Sequence, residues 1–170
     1  MKTAILVDGG FYRKRATALW GMKTPEDRAK ELYGYCMAHI RDGKDYEKRT
    51  LYRIFYYDCP PISKRVYHPL TKRTVDFSKS ETYSWSNSFY KELMAKRKVA
   101  LRMGELSDSY AHYNLKPETT KRLLAGEVQL DELTENDFFF QVSQKGVDMK
   151  IGLDIASLAY KHQVDQIILI

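Results

Sequence analysis

The chain alternates between two hydrophobic periods. Residues 3–7, Thr-Ala-Ile-Leu-Val, form a short β-branched and aliphatic run that predicts a buried strand. Residues 11–20 predict a basic helix with Arg13, Lys14 and Arg15 exposed. Pro25 suits the first turn of a second helix, and Ala29, Leu32, Tyr33, Cys36, Met37 and Ile40 then recur at helical spacing. Residues 51–57 are aromatic and β-branched and stop at Asp58-Cys59-Pro60-Pro61, a firm strand terminus. Residues 62–80 have no clean period, with turn-forming residues around Pro69, and predict a long loop or hairpin insertion. A helix over 86–98, a strand over 99–103 and a helix from Pro117 to Leu124, closed by Gly126, come next. Residues 138–142 predict a strand or extended segment, 149–162 the last helix and 166–170 the last strand. Strands alternating with helices imply an α/β fold with a mostly parallel sheet covered by helices on both faces. In that sheet the runs 3–7 and 166–170 should lie side by side, both as central strands.

At 170 residues the chain fits a single domain with a core of five or so strands. A net charge of +6 favours an anionic partner, with nucleic acid and a merely basic surface both open. The only cysteines, Cys36 and Cys59, lack metal-ligand spacing, which points to a reducing compartment rather than a disulfide framework. No apolar run is long enough for a bilayer, and the first residues enter a core strand directly, so a soluble cytoplasmic protein is expected. The four histidines are scattered, and the chain has no P-loop, no Gly-x-Ser-x-Gly elbow and no Gly-x-Gly-x-x-Gly after its first strand.

The candidate chemistry lies in aspartates. In parallel α/β folds, sites form at the carboxyl ends of strands, and Asp8 sits there after the first strand. It also suits a turn aspartate before Gly9-Gly10. Asp148 opens the last helix, where an N-cap role is the alternative. Asp154 falls on the boundary of that helix, where pairing with Lys150 and Lys161 would also account for it. Asp148 and Asp154 are about 120° apart around a regular helix and roughly 9 Å along it, so both grip one ion only if Asp148 belongs to the preceding loop. Asp58, ending the second strand, is a weaker candidate at the same edge.

Between Pro60 and Arg102 there are ten basic residues against three acidic ones, with Tyr67, Phe77, Tyr83, Trp85, Phe89 and Tyr90 interleaved. Basic groups can track a phosphate backbone while exposed aromatics stack on unpaired bases. Equally, Trp85, Phe89 and Leu93 fit the buried face of a helix and Lys96-Arg97-Lys98 its solvated end. Lys64, Arg65, Lys72 and Arg73, with Arg13 and Lys145, are the residues expected to contact a nucleic acid.

Ile5-Leu6-Val7-Asp8-Gly9-Gly10-Phe11-Tyr12 and Lys145-Gly146-Val147-Asp148, with Asp154, Leu158-Ala159-Tyr160 and the run from Asp165 to Ile170, resemble the NYN domain family, LabA-like relatives of PIN nucleases. The resemblance spans both ends of the chain. It implies a Rossmann-like PIN fold and an aspartate cluster of Asp8, Asp148 and Asp154 that binds Mg²⁺ or Mn²⁺ and is catalytic in RNA cleavage. Phosphodiester hydrolysis calls for such carboxylates, because a bound ion both activates water and stabilises the charged transition state. Phe11 stands where many family members have an asparagine. The family also continues past its last strand into a Ser-Gly-Asp-Ser-Asp-Phe type turn, a helix and a strand. Ending at Ile170, the chain is expected to be a truncated form lacking that acidic turn. Two function classes follow: a metal-dependent ribonuclease, and a non-catalytic RNA-binding or regulatory module on the same fold. DNA as substrate and a homodimer are left open.

Overall fold

The computed structural model describes residues 1–41 and 48–170. Its elements in order are β1 (Lys2–Asp8), α1 (Gly9–Trp20), α2 (Pro25–Arg41), β2 (Thr50–Asp58), β3 (Arg65–Tyr67), β4 (Thr74–Asp76), α3 (Glu81–Met94), β5 (Val99–Met103), β6 (Glu105–Leu115), α4 (Pro117–Leu124), β7 (Phe138–Lys145), α5 (Val147–Tyr160) and β8 (Gln166–Leu169). Four strands form a parallel sheet in the order β5-β2-β1-β8.

Alternation along β1 divides the core. Ile5 and Val7 point to one face, where Ile54 and Tyr56 of β2 meet Tyr12 and Ala16 of α1, Leu32 and Cys36 of α2 and Phe89 and Leu93 of α3. Ala4 and Leu6 point to the other, with Tyr57, Ile151 and Leu158. Helices therefore cover both faces, as the pattern implied, but unevenly: among the described residues, α1, α2 and α3 pack on one face and α5 on the other. Connectivity gives the reason. The path β1 to β2 to β5 advances in one direction, and right-handed crossovers put α1, α2 and α3 on one side. From β5 the chain returns past β2 and β1 to β8, and that reversed step puts α5 on the opposite side.

The expected neighbours are neighbours: Ile5 aligns with Ile168 and Leu6 with Leu169 across the parallel β1–β8 ladder. β8 is not central, however. Among the described residues it is an edge strand, and Leu169 is largely exposed. An apolar sequence marks burial of side chains and is blind to whether a second ladder partner exists.

Other expectations shift as well. α3 begins at Glu81 rather than residue 86, because the Ser80 hydroxyl accepts the Tyr83 N–H at 3.1 Å and caps the helix there. The 62–80 insertion is a short hairpin, β3 against β4. Residues 138–142 belong not to the parallel sheet but to an antiparallel ribbon, β6 with β7, whose first strand the sequence pattern did not single out. Ribbon and hairpin join through aromatics: the buried His68 ring lies 4.3 Å from Tyr113 and 5.1 Å from Phe138, and Phe77 lies 4.3 Å from Phe140. Among the described residues, no helix is long and apolar enough to cross a membrane.

Gly104 fixes where the ribbon sits. Its N–H donates to the Asp58 carbonyl at 2.7 Å, and a Cβ there would stand 2.6 Å from the Lys145 carbonyl oxygen. Only a residue without a side chain lets the two ends of the ribbon pass this closely. The start of α5 is thereby held beside the carboxyl end of β2.

Candidate functional site

β1 and β2 both end in aspartate at the same edge of the sheet, Asp8 aligned with Tyr57 and Asp58 one residue beyond. α5 begins against this edge, with Gly146 in a left-handed conformation (φ 84°) turning β7 into the helix. Asp8, Asp58 and Asp148 line one cleft of about 420 Å³, together with Gln144, Gly146 and Met149. The cleft lies between β1, whose following connection runs toward β2, and the return path to β8. Such reversals are where open α/β sheets bind ligands.

The three carboxylates are not equivalent. Asp8 caps α1, its Oδ1 accepting the Phe11 N–H at 3.0 Å, so the turn reading of the sequence is also satisfied. Its other oxygen has no protein partner among the described residues. Asp148 is the second residue of α5 rather than its cap; it is exposed and makes no hydrogen bond or ion pair with a described residue. The amino-terminal end of the helix dipole favours its charge.

Asp58, only 2% exposed, is saturated. Arg13 Nη2 lies 3.1 Å from Oδ1 and 2.9 Å from Oδ2, the Tyr56 hydroxyl donates to Oδ2 at 3.1 Å, and the Cys59 N–H donates to Oδ1 at 2.8 Å. Burial, reinforced by this carboxylate, raises the Tyr56 pKa well above an ordinary phenol and keeps its proton in place as the donor. Burial raises the Cys59 thiol in the same way. Arg13, expected to be exposed on α1, is instead half-buried. Burial opposes its charge, but the Tyr56 hydroxyl oxygen and the Asp58 carboxylate beside it hold its pKa above that of a free guanidinium.

Asp154 stands apart from the cleft, two turns along α5 on the side facing the sheet. Arg102 of β5 grips it with two hydrogen bonds, Nε to Oδ2 at 2.8 Å and Nη2 to Oδ1 at 2.7 Å, and the Tyr57 hydroxyl donates to Oδ2 at 2.8 Å. Neither lysine suggested by the helical wheel is its partner: Lys150 reaches the Met103 carbonyl instead. The hydrogen bonds to Asp154 raise the Arg102 pKa, and burial followed by the Asp154 bond raises that of Tyr57. The structure thus brings Asp8 and Asp148 together and leaves Asp154 in a separate polar contact. Among the described residues, no three His, Cys, Asp or Glu side chains gather closely enough to hold a metal.

The basic candidates divide similarly. Arg65 pairs with Asp76 across the β3–β4 hairpin at 3.1 Å, and Lys72, with φ 56°, sits in its turn just before Arg73. Lys64 precedes this hairpin, and none of the four lines the aspartate cleft. Lys145 lies between Gln144 and Gly146, which do. Trp85 stacks on Phe89, with centroids 5.0 Å apart, as the buried-face alternative foresaw, yet its ring also lines a groove between α1 and α3. Sequence reasoning passed over Gln144, Arg102 and Tyr57. Arg102 carried a signal, a lone arginine alternating with Val99, Leu101 and Met103 in a core strand.

No family model, curated protein or solved structure matches the chain.

Proposed function

We propose that this chain is a metal-dependent ribonuclease domain of the NYN and PIN type, with Asp8 and Asp148 as its metal-facing carboxylates. The observation that carries the reading is the meeting of aspartates from two strand ends and one helix start in a single cleft. Asp58 is fully engaged, so two carboxylates remain open. Mg²⁺ is commonly held by one or two carboxylates and completed by waters and substrate phosphate oxygens, which this donor set fits. When bound, such an ion supplies positive charge to the phosphodiester and acidifies a water.

The chain's own residues do the rest. Asp8 is fixed by the Phe11 N–H and lines the cleft with its second oxygen unpartnered among the described residues. Asp148, at the helix start, is free of competing partners among the described residues. The Gln144 amide offers both a donor and an acceptor to a nucleotide. Lys64, Arg65, Lys72 and Arg73, on and just before the hairpin, extend the positive surface for the flanking strand, and Lys145 adjoins the cleft itself.

The capture of Asp154 by Arg102 and Tyr57 favours a second reading, an RNA-binding module without catalysis, since one of the three acids assigned to the metal is occupied. Cleavage and binding of a single-stranded RNA with millimolar Mn²⁺ separate the two. The nuclease reading expects cleavage by the unsubstituted protein and its loss in Asp8→Asn and Asp148→Asn, with RNA affinity retained. Binding without cleavage under all metal conditions establishes the second reading. Neither binding nor cleavage defeats both.

A further inference from the structure

Arg13 occupies an unusual position on the molecular surface. It lines the α1–α3 groove of about 640 Å³, beside Lys14, Met22 and Trp85. It also lines a second cleft, of about 320 Å³, beneath Pro60 and Pro61. Through its ion pair it touches Asp58, which lines the aspartate cleft, and Gln144 lines both that cleft and the second. Two of the three depressions therefore share one guanidinium, and the aspartate cleft adjoins it through Asp58.

That guanidinium is held on one side only. Nε contacts the Gly9 carbonyl of its own helix at 3.4 Å, and Nη2 is bound to Asp58. The two N–H groups of Nη1 have no protein partner among the described residues. A planar fork anchored at one end and unfilled at the other matches a tetrahedral oxyanion, and little rotamer entropy is lost when such a pre-aimed group binds. Asp58 is equally telling. Burying a carboxylate is costly, and this one is compensated by three hydrogen bonds and the Arg13 ion pair, which engage both its oxygens. Its one remaining external effect is on where Arg13 points.

We infer that Arg13 is a phosphate-binding residue for a single-stranded RNA, aimed by Asp58, a positioning residue that never touches the substrate. This rests on the nucleic-acid reading above and goes beyond it by naming the group that receives a backbone phosphate where two clefts share Arg13, one ion pair from the aspartate cleft. The neighbouring groove, walled by Met22 and Trp85 and edged by Lys14, then takes the adjoining unpaired nucleotide.

The test is the affinity of a fluorescently labelled oligouridylate, measured by anisotropy without divalent ions over a range of salt concentrations. Arg13→Gln should weaken binding about tenfold and lower the salt slope by about one phosphate contact. Asp58→Asn gives a test of sign. Were Arg13 only a source of field, removing a nearby negative charge would tighten binding; loss of aim instead weakens it, by about three- to tenfold on the same contact scale. In the Arg13→Gln background, Asp58→Asn should change nothing further, because it acts only through Arg13. Arg13→Lys keeps the charge but loses the fork and should bind as weakly as Arg13→Gln, and it decides the question if Asp58→Asn does not fold. Tighter binding by Asp58→Asn, full affinity in Arg13→Lys or unchanged affinity in Arg13→Gln overturns the inference while the nucleic-acid reading stands. An unsubstituted protein that does not bind the oligonucleotide overturns that reading, and this inference with it.

Discussion

Asp154→Asn separates a structural aspartate from a metal ligand, because the two roles shift stability in opposite directions. In the structure Asp154 is 17% exposed and its partner Arg102 is 44% exposed, so solvent screens the ion pair and its net contribution is about 0.5–1 kcal/mol. The Tyr57 hydroxyl matters more. It sits in a fully buried residue, and exchanging its charged acceptor at 2.8 Å for a neutral amide oxygen costs about 1 kcal/mol. An asparagine also turns an amide N–H₂ toward a guanidinium that has only donors. Together these predict a loss of about 2 kcal/mol, or about 4–8 °C in Tm for a chain of this length. Thermal unfolding followed by circular dichroism in EDTA reads the effect. A cycle with Arg102→Met should give a coupling of about 1 kcal/mol. With millimolar Mn²⁺, any stabilisation of the unsubstituted protein should survive in Asp154→Asn and be reduced in Asp8→Asn and Asp148→Asn. The reasoning is refuted if Asp154→Asn is more stable than the original in EDTA and loses the Mn²⁺ response, since relief of carboxylate repulsion is the signature of a ligand.

Three further outcomes follow from the geometry. Glu31 accepts hydrogen bonds from Lys23, Arg28 and Tyr12, and although burial opposes its charge these partners hold its carboxyl below the usual range. Its folded pKa is lower than its unfolded one, so its contribution is complete above about pH 4.5 and is lost as the pH falls through the folded value. Tm measured from pH 6 to pH 3 should therefore fall more steeply in the original than in Glu31→Gln, which starts about 3 kcal/mol less stable because the buried Arg28 loses its counter-charge. Burial raises the phenols of Tyr12, Tyr56, Tyr57 and Tyr90. They should ionise in an absorbance titration only above the ordinary tyrosine range, together with unfolding, because a raised folded pKa means stability present below about pH 10 and lost above it. Gly104→Ala places a Cβ 2.6 Å from the Lys145 carbonyl and 3.0 Å from Cys59 Sγ; a loss of at least about 2 kcal/mol is expected by denaturant unfolding, with an unchanged denaturant midpoint counting against the close crossing.

Much of the parallel sheet was legible in the chain. Ala4 to Val7 is apolar at every position because successive side chains meet opposite helical layers, and Ile54 and Tyr56 alternate with Phe55 and Tyr57 for the same reason. Pro25, Pro60 and Pro117 marked boundaries because proline removes a backbone donor wherever it stands. α2 and α5 were visible through their period, and the adjacency of the first and last strands through their composition. These are consequences of local sterics and of burial, which a linear pattern records.

What only the tertiary structure decided is partnership. The pattern is silent on whether Arg13 faces solvent or Asp58, because that depends on how closely α1 lies over the end of β2, where a Cβ on Gly9 would stand 2.5 Å from Tyr56. Asp154 sits at a boundary of its helix in any drawing of the wheel. That it meets Arg102 and Tyr57 rather than Asp8 follows from α5 crossing back over β5 and β2 on the face away from the other helices. β6 escaped notice since a two-stranded ribbon half open to solvent needs little apolar alternation. The acids of a cleft are likewise placed by where strands end and connections reverse. Burial and backbone geometry are encoded residue by residue, whereas the pairing of charges is set by crossover paths, which no single segment of the chain contains.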